Sequence, residues 1–598
     1  MNTPSPISPQ QAKHHRLIFL GGGAVLAIVQ LGVLWGTSIP LGIPSEWVWT
    51  RYPFTILDVS GLWPAVLAGL GLCVVVGGGA SRIDLLTKRQ RVILLLLLWG
   101  MGTLWTLSLV GSVPGISGLG RVPFVLHYSR TSGYFTQART DAQDLEHFLE
   151  NYRERIQDTT LPENYLHLGT HPPGLTTACA MLLRLCESSP ALRKLILSTC
   201  PGSVLESFDV VTSLSFTDAL PLTEVDVAAI WLAALLVAAL AAGTCIPLYL
   251  LACRHVPREA AWWGAGCWLL VPAVAVFFPK SDVLFPCLAM WIQWLWLEGM
   301  DRRSLRWGAA AGTAIFLALC LTLAFAPVGL ILLLQGGFVT PAQNASQPEK
   351  TTRWHLPGRL EHLCKSCRGL ASRLSVFHQV KHFRRGHMRD QTGLRVYVGS
   401  GLMFGFWLLL IWRQWSLNLI EIWIQNLRNH AAFYDHATRS YLPWLLENPI
   451  ELGFSLGLPL ALCAACGLWV LGRQVSSEMK KKEWKKQPAR SSSSLFSNVI
   501  CNGFSNQFPN LRELDVLIAM GVWGLLWISG KNMGEAARLW VFLMPYALWL
   551  ATFQIQRFRQ SGSASMLRLL FALQMVVCLG TVLRIDGFHF LELMPGVP

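Results

Sequence analysis

The chain has 598 residues, of which 52% are hydrophobic and only 14% charged, and its mean hydropathy is +0.42. That balance excludes a soluble globular protein of this size and points to a membrane protein with many spans. The net charge of +15 does not call for nucleic acid, because the basic clusters Arg82 to Arg91, Arg302 to Arg306, Arg353 to Arg395 and Lys480 to Arg490 fall in loops between apolar runs, where cytoplasmic charge belongs.

A membrane helix needs ~20 apolar residues. In chain order the runs that reach or approach this length are Leu17–Gly36, Gly61–Ala80, Val92–Gly111, Val227–Ala252, Ala260–Phe278, Val283–Leu297, Val396–Trp412, Glu451–Leu471, Leu514–Ser529, Leu539–Phe553 and Leu567–Val582. Each satisfies its own backbone as a helix, which hydrocarbon requires. The first follows the basic stretch Lys13-His14-His15-Arg16 but is too long for a signal peptide and lacks a small-x-small cleavage pattern. An uncleaved span with a cytoplasmic N-terminus is expected. The 31-residue run Trp307–Gly337 is long for one span and short for two. A break near Phe325-Ala326-Pro327 is expected to fold it into a tight hairpin of two short helices. The hairpin keeps Val339–Arg395 inside, with its eleven Lys and Arg against three Asp and Glu. The expected fold is all-α: a polytopic helical protein of a cell (inner) membrane with about thirteen transmembrane helices.

This topology divides the chain into three parts. Residues 1–337 form a transmembrane module holding an extracytoplasmic loop, 112–226. Residues 338–395 form a basic cytoplasmic loop. Residues 396–598 form a C-terminal transmembrane region with an extracytoplasmic loop, 413–450, and a cytoplasmic linker, 476–510, that is linker-like by its Lys480-Lys481-Lys482 and Ser491–Ser494 runs. In the first loop, Leu145, Phe148, Leu149, Tyr152 and Ile156 recur at helical spacing among charges, predicting an amphipathic helix on the membrane surface. The run Leu175–Leu185 is too short to span and predicts a second interfacial or re-entrant helix. In the second loop, Leu417, Ile420, Ile424 and Leu427 repeat the amphipathic pattern before His430, Tyr434, Asp435, His436 and Arg439.

Fifteen cysteines are scattered, several of them within spans (Cys73, Cys245, Cys578), and form no disulfide framework. Cys364-x2-Cys367 followed by His378-x3-His382 comes close to zinc-finger spacing, but the ten-residue linker is short and the usual aromatic is missing. No metal site is expected.

The sequence Thr170-His171-Pro172-Pro173-Gly174 closes the polar part of the first loop and opens the Leu175–Leu185 run. Prolines suit the start of a helix, where an N–H has no intrahelical partner. The motif therefore sets an ionisable side chain at a membrane–water boundary; a rigid turn carrying a solvated His is the plain alternative. Pro279-Lys280-Ser281-Asp282 opens a later span, with a snorkelling Lys280 and a helix-capping Asp282 as the plain reading. Gly534-Glu535-Ala536-Ala537-Arg538 offers either an ion pair three residues apart or a site for phosphate beside Lys531.

Taken in order, these three elements resemble those of the GT-C superfamily of integral membrane glycosyltransferases, particularly protein O-mannosyltransferases and aminoarabinose transferases. The resemblance covers Leu17 to about Phe588. It implies a GT-C-like bundle with interfacial helices in its extracytoplasmic loops, and transfer of a sugar, with inversion, from a polyprenyl-phosphate donor to a glycan, lipid or protein acceptor. The implied catalytic residues are Asp141, Asp144, His171 and Asp282. Lys280, Arg538, Glu535 and His430 would bind the donor phosphate, Pro172, Pro173 and Gly174 would shape the motif, and no cofactor is implied. The chain departs from the family in Thr131-Ser132-Gly133-Tyr134-Phe135, where no carboxylate precedes the Tyr, and in a loop that follows the third span rather than the first. Asp141 and Asp144 are the nearest carboxylates, and both also suit the start of the amphipathic helix. Glu46 and Asp58 occupy the family's usual loop without its motif. The rival readings are a multi-pass transporter or flippase, for which no internal repeat is evident, and a catalytically inactive protein of the same fold.

Overall fold

The computed structural model describes residues 9–127, 132–157, 168–214, 221–338, 391–436, 438–486, 513–560 and 564–588. The segment holding Cys364, Cys367, His378 and His382, most of the basic loop and of the 476–510 linker, and Thr131 lie outside them. The described residues are about 80% helical. Its strands, among the described residues, are two short antiparallel pairs, of which one sets Thr50 opposite Asp586 and so ties the first loop to the end of the last helix.

Eight helices among the described residues are long and apolar enough to cross a membrane: Asp58–Ala80, Lys88–Gly111, Glu224–Ala252, Arg258–Val276, Ser281–Arg302, Gly393–Trp415, Leu458–Ser477 and Ala564–Val582. Four shorter apolar helices, Gly21–Gly36, Leu305–Leu321, Leu323–Gly337 and Leu514–Ile528, accompany them. The chain is thus an all-α helical membrane protein. These helices do not confirm the expected count of thirteen spans, since several apolar runs form helices shorter than a full span.

Two of the apolar runs are broken by their backbone. Glu451–Leu471 is not one span: Gly457, at φ 90°, ends the Tyr441–Leu456 helix, and a new helix starts at Leu458. Glycine is the residue that enters this left-handed region without penalty. The run Trp307–Gly337 breaks at Thr322, whose extended backbone (φ −162°, ψ 144°) ends the Leu305–Leu321 helix; the Ala326–Phe338 helix follows after one short turn. The halves do not form the tight hairpin expected. The first packs along Gln391–Trp415 and the second along Leu514–Ile528.

Helix starts follow local chemistry. Thr87 and Thr223 open the Lys88–Gly111 and Glu224–Gly243 helices with reciprocal capping bonds to Gln90 and Asp226. Burial then sorts the spans. In its most apolar stretch the Arg258–Val276 span is 94% buried and Gly393–Trp415 only 11%, so the first runs through the middle of the bundle and the second along its rim. Leu402, Phe406 and Leu409 stand exposed on that rim, a surface suited to lipid rather than water.

The described residues of 112–226 connect the end of the Lys88–Gly111 span to the start of Glu224–Ala252, and the end of the bundle where they lie is called the loop end below. The amphipathic pattern from Leu145 to Ile156 forms two short helices, Leu145–Glu150 and Tyr152–Gln157. Their apolar face, expected to meet a membrane surface, is covered by protein. Phe148, Leu149, Tyr152 and Ile156 are buried in a second small core with Ala180, Phe316, Leu417, Leu419 and Ile422. Helical periodicity records that one face is covered but not what covers it, and here the cover is protein.

Candidate functional site

The Thr170–Gly174 motif starts a helix at a point of close contact. Gly174 opens the Gly174–Ser188 helix, and a Cβ there would come 2.2 Å from the Cys320 carbonyl oxygen at the end of the Leu305–Leu321 helix. The residues before it are gripped through their backbone. The Asn426 side-chain amide donates to the carbonyls of Gly169 (2.8 Å) and His171 (3.1 Å), Asn429 donates to Gly169 and Ile156 (both 2.8 Å), and the Tyr152 hydroxyl donates to His171 (2.8 Å). Both asparagines come from the Leu419–His436 helix, whose buried face is Leu419, Ile422, Asn426 and Asn429. Of the amphipathic stripe read from the sequence, Leu417 is buried, while Ile420, Ile424 and Leu427 point outward and stand 46–52% exposed. The His171 imidazole sets Nδ1 3.0 Å from the Thr170 hydroxyl and meets Tyr134 edge to face, ring centroids 5.9 Å apart.

Asp282 lies in the first turn of the Ser281–Arg302 span. Its carboxylate is 3.6 Å from Arg538 Nε, and the same guanidinium holds Glu535 at 2.6 Å. Glu535 and Gly534 both adopt left-handed backbone (φ 54° and 86°). For a glutamate that conformation costs on the order of 1 kcal/mol or more and persists only when its surroundings impose it. Here one face of the Tyr441–Leu456 helix does so. Trp444 packs on Gly534, Asn448 donates to the Asn532 carbonyl (3.0 Å), and buried Glu451 accepts the N–H groups of Ala536 (3.1 Å) and Ala537 (3.2 Å) and the Trp49 indole (3.1 Å).

These elements enclose a cavity of about 310 Å³. Thr170, His171, Asp282, Asn426, His430 and Lys531 give it a polar side; Leu323, Pro327, Leu427, Leu526, Leu539 and Phe542 give it an apolar one. Of the residues singled out in the sequence, His171, Asp282 and His430 line this space, while Lys280, Glu535 and Arg538 form a charge cluster behind Asp282. Burial, reinforced by Arg538, lowers the Lys280 ammonium to about 8, against the pull of Asp282 and Glu535. Burial opposes charge on Arg538 as well, yet Glu535 and Asp282 outweigh it and hold the guanidinium above its ordinary value. Burial, then Lys531, keeps His430 below the ordinary imidazole range. Burial, then Asp282, raises Tyr134.

Asp141 and Asp144 are placed elsewhere. Asp141 pairs with Arg155 at 2.6 Å, and Asp144 caps the Leu145–Glu150 helix by accepting from His147 N–H. Neither lines the cavity. Glu46 accepts from Ser440 and Trp444, and Asp58 closes a capping box with Thr55. Pro172 and Pro173 are buried, with Pro173 in the cap position before Gly174. Tyr134, Asn426, Asn429 and Lys531 are site residues that sequence reasoning did not select. A helix carrying two asparagines three apart was the available signal for Asn426 and Asn429.

No family model, curated protein or solved structure matches the chain. Among the described residues no group of three or more His, Cys, Asp or Glu is placed to hold a metal ion.

Proposed function

We propose that this chain is a membrane glycosyltransferase that moves a sugar from a polyprenyl-phosphate donor to an acceptor at the loop end, which faces the extracytoplasmic side. The observation that carries the reading is the two-sided cavity. It sets His171, Asp282, His430 and Lys531 against Leu323, Pro327, Leu526 and Phe542, beside the first turn of a membrane span. A phosphate-linked isoprenoid has this division, a charged head on a tail that gains ~0.8 kcal/mol per buried CH₂.

Asp282 is the carboxylate on the cavity wall. In the proposed reaction it accepts the proton of the acceptor hydroxyl while that oxygen bonds to the anomeric carbon. The bond from anomeric carbon to phosphate oxygen breaks with inversion, and the polyprenyl phosphate departs with the electron pair. Lys531 and His430 face that leaving charge, and Arg538 and Lys280 add positive field from behind Asp282. His171, fixed through its carbonyl, presents its ring to the same space.

The deciding experiment presents the full chain, in lipid nanodiscs, with a panel of radiolabelled polyprenyl-phosphate sugars. Release of polyprenyl phosphate by the wild type, lost in Asp282→Asn, is the expected result. No release from any donor, with substrate flux into vesicles instead, would replace this reading with a transporter.

A further inference from the structure

A second and larger opening lies at the loop end, on the other side of the seam between the Tyr134–Thr140 and Gly174–Ser188 helices. It is an open groove of about 810 Å³, floored by Ala138, Ala142, Ala180 and Leu183 and walled by the first turn of the Glu224–Gly243 helix. Its polar groups are Arg139, Gln143, Arg184, Glu187, Thr223 and Asp226. Arg139 is held at 3.0 Å to Asp226 and donates to the Pro221 carbonyl; Arg184 reaches across to the Gln143 carbonyl at 2.9 Å. Behind the ion pair sits His127, which burial, and then Arg139, holds down at about 4, so it adds no charge at neutral pH.

The groove's chemistry narrows its ligand. Two arginines face two carboxylates, so the walls carry no net charge and favour neither an anion nor a cation. Four charged groups on the rim make it a poor berth for a lipid tail. Its lining comes from helices and loops, with no strand edge for an extended peptide to join. Arg, Glu and Gln are planar groups that each bond two neighbouring hydroxyls, and a floor of alanines accepts the flat face of a saturated ring.

We infer that this groove binds a neutral, polyhydroxylated ligand, a short glycan. Under the proposed function that glycan is the acceptor or part of it, but binding in the groove stands without that function. The groove's two helices are joined where Thr176 donates to Gln137 at 2.8 Å, and they reach toward the cavity where Tyr134, at the start of one, meets His171 on the cavity wall. Ala180 lies six residues, ~9 Å, along the helix that Gly174 opens three residues after His171, so a bound glycan would have its end within a few sugar lengths of the cavity.

The test measures binding of neutral trisaccharides of glucose, mannose, galactose and N-acetylglucosamine, and of inorganic phosphate, to the full chain in nanodiscs. At least one trisaccharide is expected to bind, with affinity falling tenfold or more in Arg184→Ala and in Glu187→Gln and unchanged in His171→Gln. Glu187 is exposed, so the milder variant tests the groove without threatening the fold. Binding of phosphate in place of sugar, no binding by any trisaccharide, or sugar binding that survives both groove variants would each overturn the inference. If groove binding stands while no donor is turned over, the glycan site holds and the transferase reading falls.

Discussion

Arg538 sets its Nε 3.6 Å from the Asp282 carboxylate, joining the first turn of one span to the segment between the Leu514–Ile528 and Met544–Gln560 helices. The same guanidinium holds Glu535 at 2.6 Å, so the one cation serves two carboxylates. Removing Arg538 therefore leaves two acids facing each other in a largely buried place. Arg538→Ala is expected to lower sugar transfer by ~10²–10³, the usual cost of losing an electrostatic stabiliser, with a far smaller fall in protein level. Transfer in step with protein level would return Arg538 to a purely structural part.

His171 bears on the proposed reaction through its ring alone, because its carbonyl is what Tyr152 and Asn426 hold. His171→Gln keeps that backbone grip. It is expected to leave abundance unchanged and to cut transfer at least tenfold, equivalent to about 1.4 kcal/mol in the barrier. Transfer within twofold of wild type would remove the imidazole from the mechanism.

Lys280 gives the reaction a pH limb whose sign follows from its surroundings. Its ammonium, lowered to about 8, is charged below that pH and neutral above it. The field opposite the leaving phosphate weakens as pH rises, so transfer is expected to fall through about pH 8. Lys280→Arg keeps its charge throughout and should flatten the limb. A limb that persists in this variant assigns the titration to another group.

Gly174 carries a prediction about stability. Its position 2.2 Å from where a Cβ would meet the Cys320 carbonyl leaves no room for alanine. Gly174→Ala is expected to cost about 1–3 kcal/mol, as overpacking does, seen as a lower thermal midpoint in detergent. An unchanged midpoint would mean the two helix ends part without penalty.

The charge distribution predicts the orientation of the bundle. In a background cleared of reactive cysteines, a single Cys at Gln157 should react with a membrane-impermeant reagent in intact cells, and one at Arg303 should not. Both positions are exposed and lie toward opposite ends of the Ser281–Arg302 span. The reverse pattern would invert the topology and move the proposed chemistry to the cytoplasm.

Hydropathy made the membrane helices legible, because hydrocarbon demands long apolar runs whatever the fold. The Pro279–Asp282 and Thr170–Gly174 motifs were legible as helix starts for the same local reason: prolines and a capping carboxylate announce a first turn. What escaped the sequence came from partners distant along the chain. Asn426 and Asn429 read as ordinary polar residues until the carbonyls of Ile156, Gly169 and His171 arrive beside them. Glu451 looks like part of a span until Gly457 breaks it and the N–H groups of Ala536 and Ala537 turn toward the carboxylate. Asp141 was selected as the carboxylate nearest a motif in sequence, yet the one on the cavity wall, Asp282, comes from another helix.

The helix Leu419–His436 is held in two media at once. Its outward ridge of Ile420, Ile424 and Leu427 suits hydrocarbon, while on its other face two amides hold the main-chain oxygens of Ile156, Gly169 and His171. Since the grip is on carbonyls, it is indifferent to which side chains that segment carries. It is not indifferent to displacement. Any displacement of this helix relative to the bundle is therefore delivered as a pull on the backbone of His171, at the wall of the cavity.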